Sequence, residues 1–233
     1  MSQGVCVVVG VGPGIGAAVA ARFASGGHEV ALCSRDEKKL NEIAAGIGGA
    51  RVFACDVRDP GDVESAFRRI RKEMGPVKVM VYNAGAGAFA NIDDATVADL
   101  QSAWEVNCRG LFLAVKAVLP DMRATGSGNI LITGATASIK GGANFLPFAS
   151  AKAAQRSLAQ SLARHLGPQR IHVSYVIVDG IVDLETTRRR MPGKPDEFFM
   201  DPAQIAESMF FLTQQPAQAW TFELDLRPFA EKW

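Results

Sequence analysis

The chain predicts an α/β fold, a doubly wound parallel sheet of about seven strands with helices on both faces. Three observations carry the prediction. Apolar strand-like runs alternate with helix-periodic stretches from end to end. The first run, Val5–Val9, is apolar without a break, as in a parallel strand covered on both faces. Between it and the first helical stretch lie Gly10, Gly12, Gly14 and Gly16. Together these describe a Rossmann-type domain spanning residues 1–233, with no repeat, low-complexity tract or linker.

The elements follow in order. After Val5–Val9, apolar positions Ile15, Val19, Ala20 and Phe23 mark a helix that stops near Gly26-Gly27. Val30–Cys33 is the second strand, and Glu37–Ile47 the second helix, ended by Gly48-Gly49. Val52–Ala54 is a short third strand. Asp59-Pro60 opens a helix to about Met74, with proline in its first turn. Val77–Tyr82 is the fourth strand, and one long helix is expected over Val97–Arg123. Asn129–Thr133 is the fifth strand, followed by a helix from about Phe148 to Leu166 that Gly167-Pro168 ends. His172–Val178, a helix over Pro202–Gln214 and a last strand at Thr221–Leu226 complete the pattern. The polar segment 184–201 reads as a mobile insertion beside a substrate.

Bulk properties narrow the function classes. The chain has 233 residues, 48% apolar and 21% charged, enough for one large core. A net charge of +1 points to neither nucleic-acid binding nor a polybasic membrane patch. The dense basic cluster Arg188-Arg189-Arg190 reads as a solvated loop. Cys6, Cys33, Cys55 and Cys108 form no CxxC pair and read as buried free thiols, as in a reducing cytosol. His28, His165 and His172 stand apart without ligand spacing, so no metal site is expected. The first residues hold no basic n-region, and the apolar runs fall short of the ~20 residues of a membrane span. A soluble cytoplasmic protein is expected.

The glycine run sits where a strand passes into a helix, the context in which such a motif binds a dinucleotide. Glycine lets the backbone turn tightly and approach a pyrophosphate, and the helix N-terminus offers free N–H groups. Gly10, Gly12, Pro13, Gly14, Ile15 and Gly16 are the expected phosphate contacts. The second strand ends Cys33-Ser34-Arg35-Asp36. Ser34 stands where a ribose-binding carboxylate is expected, and Arg35 suits a 2′-phosphate, so NADP(H) is favoured over NAD(H). Asp36 reads as the N-cap of the second helix.

These features resemble the short-chain dehydrogenase/reductase family over nearly the whole chain. The family's Thr-Gly-x-x-x-Gly-x-Gly loop is similar to Val9–Gly16. Asp56-Val57 falls where the family's aspartate contacts adenine, and Tyr82-Asn83-Ala84-Gly85 resembles its Asn-Asn-Ala-Gly motif. Asn107 falls at the catalytic asparagine, and Lys152 at the lysine that also holds the nicotinamide ribose. The resemblance implies that this pair serves proton relay. The family's Pro-Gly after the sixth strand becomes Asp179-Gly180, with Gly180 and Ile181 beside the nicotinamide, and the threonine that follows it has no clear match. Phe148 stands in place of the catalytic tyrosine, and Ala135, thirteen residues earlier, in place of the serine.

In the family the tyrosine acts as acid or base on the substrate oxygen, with its pKa lowered by the lysine, and the serine orients the carbonyl. Phenylalanine and alanine do neither, and losing one such group removes ~10²–10⁴ in rate. Ser138 and Thr136, with Thr133 nearby, are the closest hydroxyls to the empty positions; their alternative role is to satisfy loop backbone. Lys152 itself, Asp179 and Asp183 are further proton candidates. The two tyrosines, Tyr82 and Tyr175, lie in the cofactor motif and within a strand, neither an obvious replacement. One reading is therefore an NAD(P)-dependent oxidoreductase, NADP(H) favoured, moving hydride between nicotinamide and a carbonyl or alcohol with altered acid/base residues. The alternative is a catalytically impaired NADP(H)-binding regulator or partner subunit. Phe145, Leu146, Phe148, Phe198, Phe199 and Met200 suggest an apolar wall and a hydrophobic small-molecule substrate. Apolar residues on two helices, Trp104, Leu111, Phe112 and Val115 with Leu158, Leu162 and Leu166, suggest a homodimer or homotetramer.

Overall fold

A computed structural model describes residues 3–230. Seven parallel strands form one sheet: β1 (Val5–Val9), β2 (Glu29–Ser34), β3 (Arg51–Ala54), β4 (Val77–Tyr82), β5 (Gly128–Ala135), β6 (Ile171–Val178) and, after two short strands, β9 (Glu223–Leu226). Their spatial order is β3-β2-β1-β4-β5-β6-β9. The chain winds outward from β1 to β3, then crosses back to β4 on the other side of β1. A crevice therefore opens at the carboxyl ends of β1 and β4, where open α/β sheets bind their ligands.

The unbroken apolar strands are explained by two cores. Val5, Val7 and Val9 of β1 face one cluster with Tyr82, Leu111 and Tyr175, while Cys6 and Val8 face the other with Phe23, Leu40 and Met209. Successive side chains of a strand point to opposite faces, so a strand covered on both needs apolar residues throughout. Each large side chain so buried contributes roughly 1.5–3 kcal/mol. Helices α1 (Ile15–Ser25), α2 (Glu37–Ala44) and α8 (Pro202–Thr213) cover the second face, and α3 (Pro60–Met74), α5 (Gly110–Ala124) and α6 (Leu146–Leu166) the first.

Caps agree with the local sequence. The Asp59 carboxylate accepts from the N–H of Gly61 at 2.7 Å and Asp62 at 3.2 Å, and Pro60 occupies the first turn. Asp36 caps α2 by accepting from the Lys39 N–H at 3.1 Å.

Three expectations change. The long helix is divided: α4 (Val97–Trp104) passes through a five-residue π turn, Glu105–Arg109, into α5, and the turn carries Asn107. Such single π turns concentrate at functional sites. Secondly, α6 begins at Leu146, so Phe148 lies inside its first turn. Thirdly, the 184–201 segment has local order, with α7 (Glu185–Arg190) and strand β8 (Phe199–Met200), which pairs with β7 (Ile181–Val182). Arg188, expected in a solvated loop, pairs with Asp183 at 2.7 Å and with Asp196, and its guanidinium lies 4.2 Å from the Phe199 ring centroid. No helix among the described residues is long and apolar enough to cross a membrane.

Of the proposed interface residues, Leu111, Val115 and Leu166 belong to the core instead. Phe112 of α5 is exposed, as is Trp104, and Val97 and Leu100 join Trp104 on the outside of α4.

Candidate active site

The glycine loop is tied to the sheet before it turns. The N–H groups of Gly10 and Val11 both donate to the Cys33 carbonyl, at 2.8 and 3.1 Å. Gly10 has φ +89°, and a Cβ there would meet the Ala84 backbone at 2.2 Å, so glycine is obligatory. A Cβ on Gly16 would press the loop's own backbone at 2.9 Å. Gly12 is different: a Cβ there meets nothing within 4 Å. The loop thus leaves open backbone ahead of α1, the room a pyrophosphate needs. At Gly14 a Cβ would strike Leu184 at 2.7 Å, which brings the start of the 184–201 segment over the loop.

Asn83 locks the carboxyl ends of three strands together. Its N–H donates to the Val9 carbonyl at 2.8 Å, its Nδ2 to the Gly10 carbonyl at 2.9 Å, and its Oδ1 accepts from the Thr133 hydroxyl at 3.0 Å. Ala84 and Gly85 continue along the crevice, and Gly85 lies against Asn107 Oδ1.

At the far end of the crevice Ser34 is half-buried and Arg35 exposed. The Asp36 carboxylate turns to its own helix, where it also pairs with Lys39 Nζ at 3.4 Å. The Lys39 N–H is the first cause holding that carboxyl below its usual range. Asp56 is clasped by Arg58, whose Nη2 lies at 2.6 Å and Nε at 3.0 Å from its oxygens. The Arg58 contact holds the Asp56 carboxyl low, and Arg35 adds to the effect from nearby. Val57 is buried beneath.

Lys152 is 5% exposed. Its Nζ donates to the Thr133 carbonyl at 2.8 Å and to Gln155 Oε1 at 3.1 Å. Burial pulls its pKa down to about 7, since the charged form loses water it cannot replace. Phe148 sits one turn earlier on α6, its ring packed edge-to-face on Phe89 at 5.6 Å, and Phe89 in turn meets Phe145 at 5.2 Å. Phe89 was invisible in the sequence, because nothing in its loop marks it as near α6. Of the other expected wall residues, Phe199 and Met200 are buried in β8, and Phe198 packs edge-to-face on Phe199.

Asn107 is fully buried on the π turn. Its Nδ2 donates to the carbonyls of Ala86 at 2.9 Å and Ala103 at 2.8 Å, its own carbonyl accepts from Gln155 Nε2 at 2.8 Å, and its Oδ1 is without a partner among the described residues.

The hydroxyls near the empty serine and tyrosine positions are already engaged. Thr136 donates to Asp179, which pairs with Arg227 at 3.0 Å. Ser138 Oγ accepts from the Ala135 N–H at 3.0 Å and shares a 2.7 Å hydrogen bond with the Tyr175 phenol. Tyr175 is the residue that sequence reasoning set aside. From mid-strand its ring passes under Gly134, where a Cβ would strike it at 2.4 Å, and its hydroxyl reaches Gln155 Oε1 at 3.1 Å. Burial raises its pKa, so it remains a neutral phenol at ordinary pH. Gly180 packs against Met200 and Pro228, and Ile181 begins β7. A cleft of about 570 Å³ lies on another side of α6, along Leu146, Ala149, Ser150 and Ala153, and of the candidate residues it is lined by Ser138 and by Leu146 of the expected apolar wall.

The comparisons agree with this geometry. The family model described as short chain dehydrogenase matches residues 4–194. The chain belongs to the short-chain dehydrogenase family of oxidoreductases. A short-chain dehydrogenase from Rhodopseudomonas palustris superposes with a TM-score of 0.84 at 33% identity, covering 98% of this chain and 100% of that one. An alcohol dehydrogenase from the archaeon Thermococcus sibiricus, solved with 5-hydroxy-NADP, gives a TM-score of 0.86 at 26% identity over 99% of both chains. The 3-oxoacyl-[acyl-carrier-protein] reductase of Mus musculus is 29% identical over 221 residues, 91% of this chain and 92% of its own.

Proposed function

We propose that the protein is an NADP(H)-dependent oxidoreductase that reduces a hydrophobic carbonyl, or oxidises the matching alcohol, with Lys152 as its proton carrier. The observation that carries this reading is the buried Lys152 amine, with a pKa of about 7, beside a phenyl ring where the resemblance implies a phenol. A proton carrier works best when its pKa lies near the working pH.

The open backbone at Gly12, with Pro13, Gly14 and Ile15 at the head of α1, would hold the pyrophosphate. Ser34 and Arg35 would hold the 2′-phosphate, because Asp36 is spent on its helix and the Asp56 charge is answered by Arg58. Asp56 and Val57 would border the adenine. Asn83, Ala84 and Gly85 line the middle of the crevice, and Lys152, Gly180 and Ile181 its nicotinamide end. The NADP analogue in the T. sibiricus relative supports the same assignment.

When bound at this crevice, NADPH would supply the hydride for the carbonyl carbon. Lys152 then gives one N–H proton to the oxygen and is left as a neutral amine, to be reloaded from solvent. Phe148, Phe89 and Phe145 exclude water and press an apolar substrate toward that amine. Ser138 and Thr136 orient the loop, since their hydroxyls already serve Tyr175 and Asp179. The 184–201 segment would cover the crevice, with Leu184 against the glycine loop. We also propose a homo-oligomer formed through the exposed face of α4.

A second reading is favoured by the absence of hydroxyls at residues 135 and 148: a nucleotide-binding regulator or partner subunit without turnover. Single-turnover oxidation of bound NADPH by a panel of aromatic and aliphatic ketones and aldehydes decides between them. The first reading expects NADPH loss with at least one carbonyl, abolished by Lys152→Met. Tight NADPH binding with no oxidation by any member would overturn it.

A further inference from the structure

Gln155 lies one turn beyond Lys152 on α6 and is fully buried. Both ends of its amide are used. Nε2 donates to the Asn107 carbonyl at 2.8 Å, and Oε1 accepts from Lys152 Nζ and from the Tyr175 phenol, each at 3.1 Å. A hydrocarbon would fill this place without the desolvation that an amide suffers, so the polar group has to be explained. A fully satisfied buried network holds its members in one geometry.

The chemistry of the amide sets what this bridge does. It keeps its N–H protons and accepts none at neutral pH. The resemblance implies a proton relay between Asn107 and Lys152, yet here one side chain touches both ends and cannot conduct. The other acceptor of Lys152, the Thr133 carbonyl, cannot take a proton either. An ammonium has three N–H groups, and these two oxygens hold two of them.

We propose that Gln155 is a positioning residue: it anchors Lys152 between two fixed acceptors and closes the inward proton route toward Asn107, so that Lys152 gains and loses its proton from the side of the cofactor crevice. The inference rests on the reading of Lys152 as proton carrier. The titratable groups on the surrounding elements include His172 and Tyr175 of β6, Asp179 just beyond it, Glu105, Cys108 and Arg109 of the π turn, and the Arg156–Glu223 pair, at 2.6 Å between α6 and β9. Lys152 forms an ion pair with none of them among the described residues, which leaves Gln155 and Thr133 as the contacts that tune it.

The test uses the full chain without nucleotide or substrate. Lysines are labelled with ¹³C and ¹⁵N at Cε and Nζ, and the Lys152 signal is identified by its loss in Lys152→Met. Gln155→Glu should raise the titration midpoint of Lys152 by about one pH unit or more, since it places an opposite charge at contact distance. Gln155→Leu, close in volume, should lower the midpoint by about one pH unit, since it removes an acceptor for the ammonium. Gln155→Ser should open space for water toward Asn107 and speed hydrogen exchange at Nζ by about tenfold or more. Circular dichroism selects the variants that fold, and Gln155→Leu suffices if the buried glutamate does not. Midpoints within about 0.3 pH unit of the parent in the folded variants, or unchanged exchange in Gln155→Ser, would overturn the proposal. A parent that oxidises no NADPH would defeat the proposed function while leaving these measurements to stand or fall by themselves.

Discussion

The Lys152 ammonium nitrogen lies 5.9 Å from the centroid of the Phe148 ring, one turn away along α6. The Tyr-x-x-x-Lys spacing is kept, and with it the direction in which the first side chain points. What differs is chemical: a phenyl ring stands beside the amine, with no hydroxyl to exchange a proton with it.

Restoring the hydroxyls should restore the missing chemistry. Phe148→Tyr places a phenol within reach of Lys152, whose charge lowers the phenol's pKa. Ala135→Ser adds a hydroxyl that can orient the same oxygen, so the two changes should cooperate. The double variant is expected to reduce model carbonyls with NADPH roughly 10²-fold faster than the parent. Steady-state rates for the parent and the three variants test this, and a double variant that binds NADPH normally yet gains nothing would sink it.

Arg35 should set cofactor choice. Arg35→Ala is expected to weaken NADPH binding by about 10-fold to 100-fold, the loss of a charge-assisted contact, and to leave NADH binding nearly unchanged. Fluorescence titration with both reduced nucleotides reads the difference directly. Equal losses for the two would remove Arg35 from the 2′-phosphate.

The buried amine predicts a pH dependence of stability. Burial places the folded pKa of Lys152 at about 7, below its value in an unfolded chain. Above that pH the folded form has released a proton that the unfolded chain still holds, until about 10.4. This group therefore favours folding increasingly as pH rises between those limits, by up to about 1.4 kcal/mol per pH unit. Below pH 7 its contribution is flat. Urea unfolding of the parent and Lys152→Met at several pH values should show that slope in the parent alone; parallel curves would contradict it.

Assembly should depend on α4. Val97, Leu100 and Trp104 are exposed there at helical spacing, with Trp104 45% exposed. Trp104→Glu is expected to shift a dimer or tetramer toward monomer at micromolar concentration. Light scattering measures it, and a parent that is already monomeric would end the idea.

The strands were legible from residues because each effect is local. A parallel strand buried on both faces must be apolar at every position, as Val5–Val9 is, and a cofactor loop must have glycine where its backbone meets Ala84. Asp36 could be assigned as a cap and Asp59-Pro60 as a helix start because the backbone donors these aspartates satisfy lie two or three residues ahead. The loss of the tyrosine and serine hydroxyls was equally plain in the sequence.

Tertiary structure alone decided where the remaining polar groups went. Tyr175 and Gln155 are 20 residues apart and meet because β6 runs beneath α6. The hydroxyls of Thr136 and Ser138 could have faced a substrate, but the fold brings Asp179 and Tyr175 to them. Leu111, Val115 and Leu166 resembled interface residues, yet the sheet claims them for its core. Phe89 reaches Phe148 across a loop without a periodic signal. Hydrophobic periodicity and capping act between near neighbours and so can be read along the chain. A buried hydrogen bond between distant residues exists only once the sheet and helices have packed, and its physical reason is the cost of leaving those groups unpaired away from water.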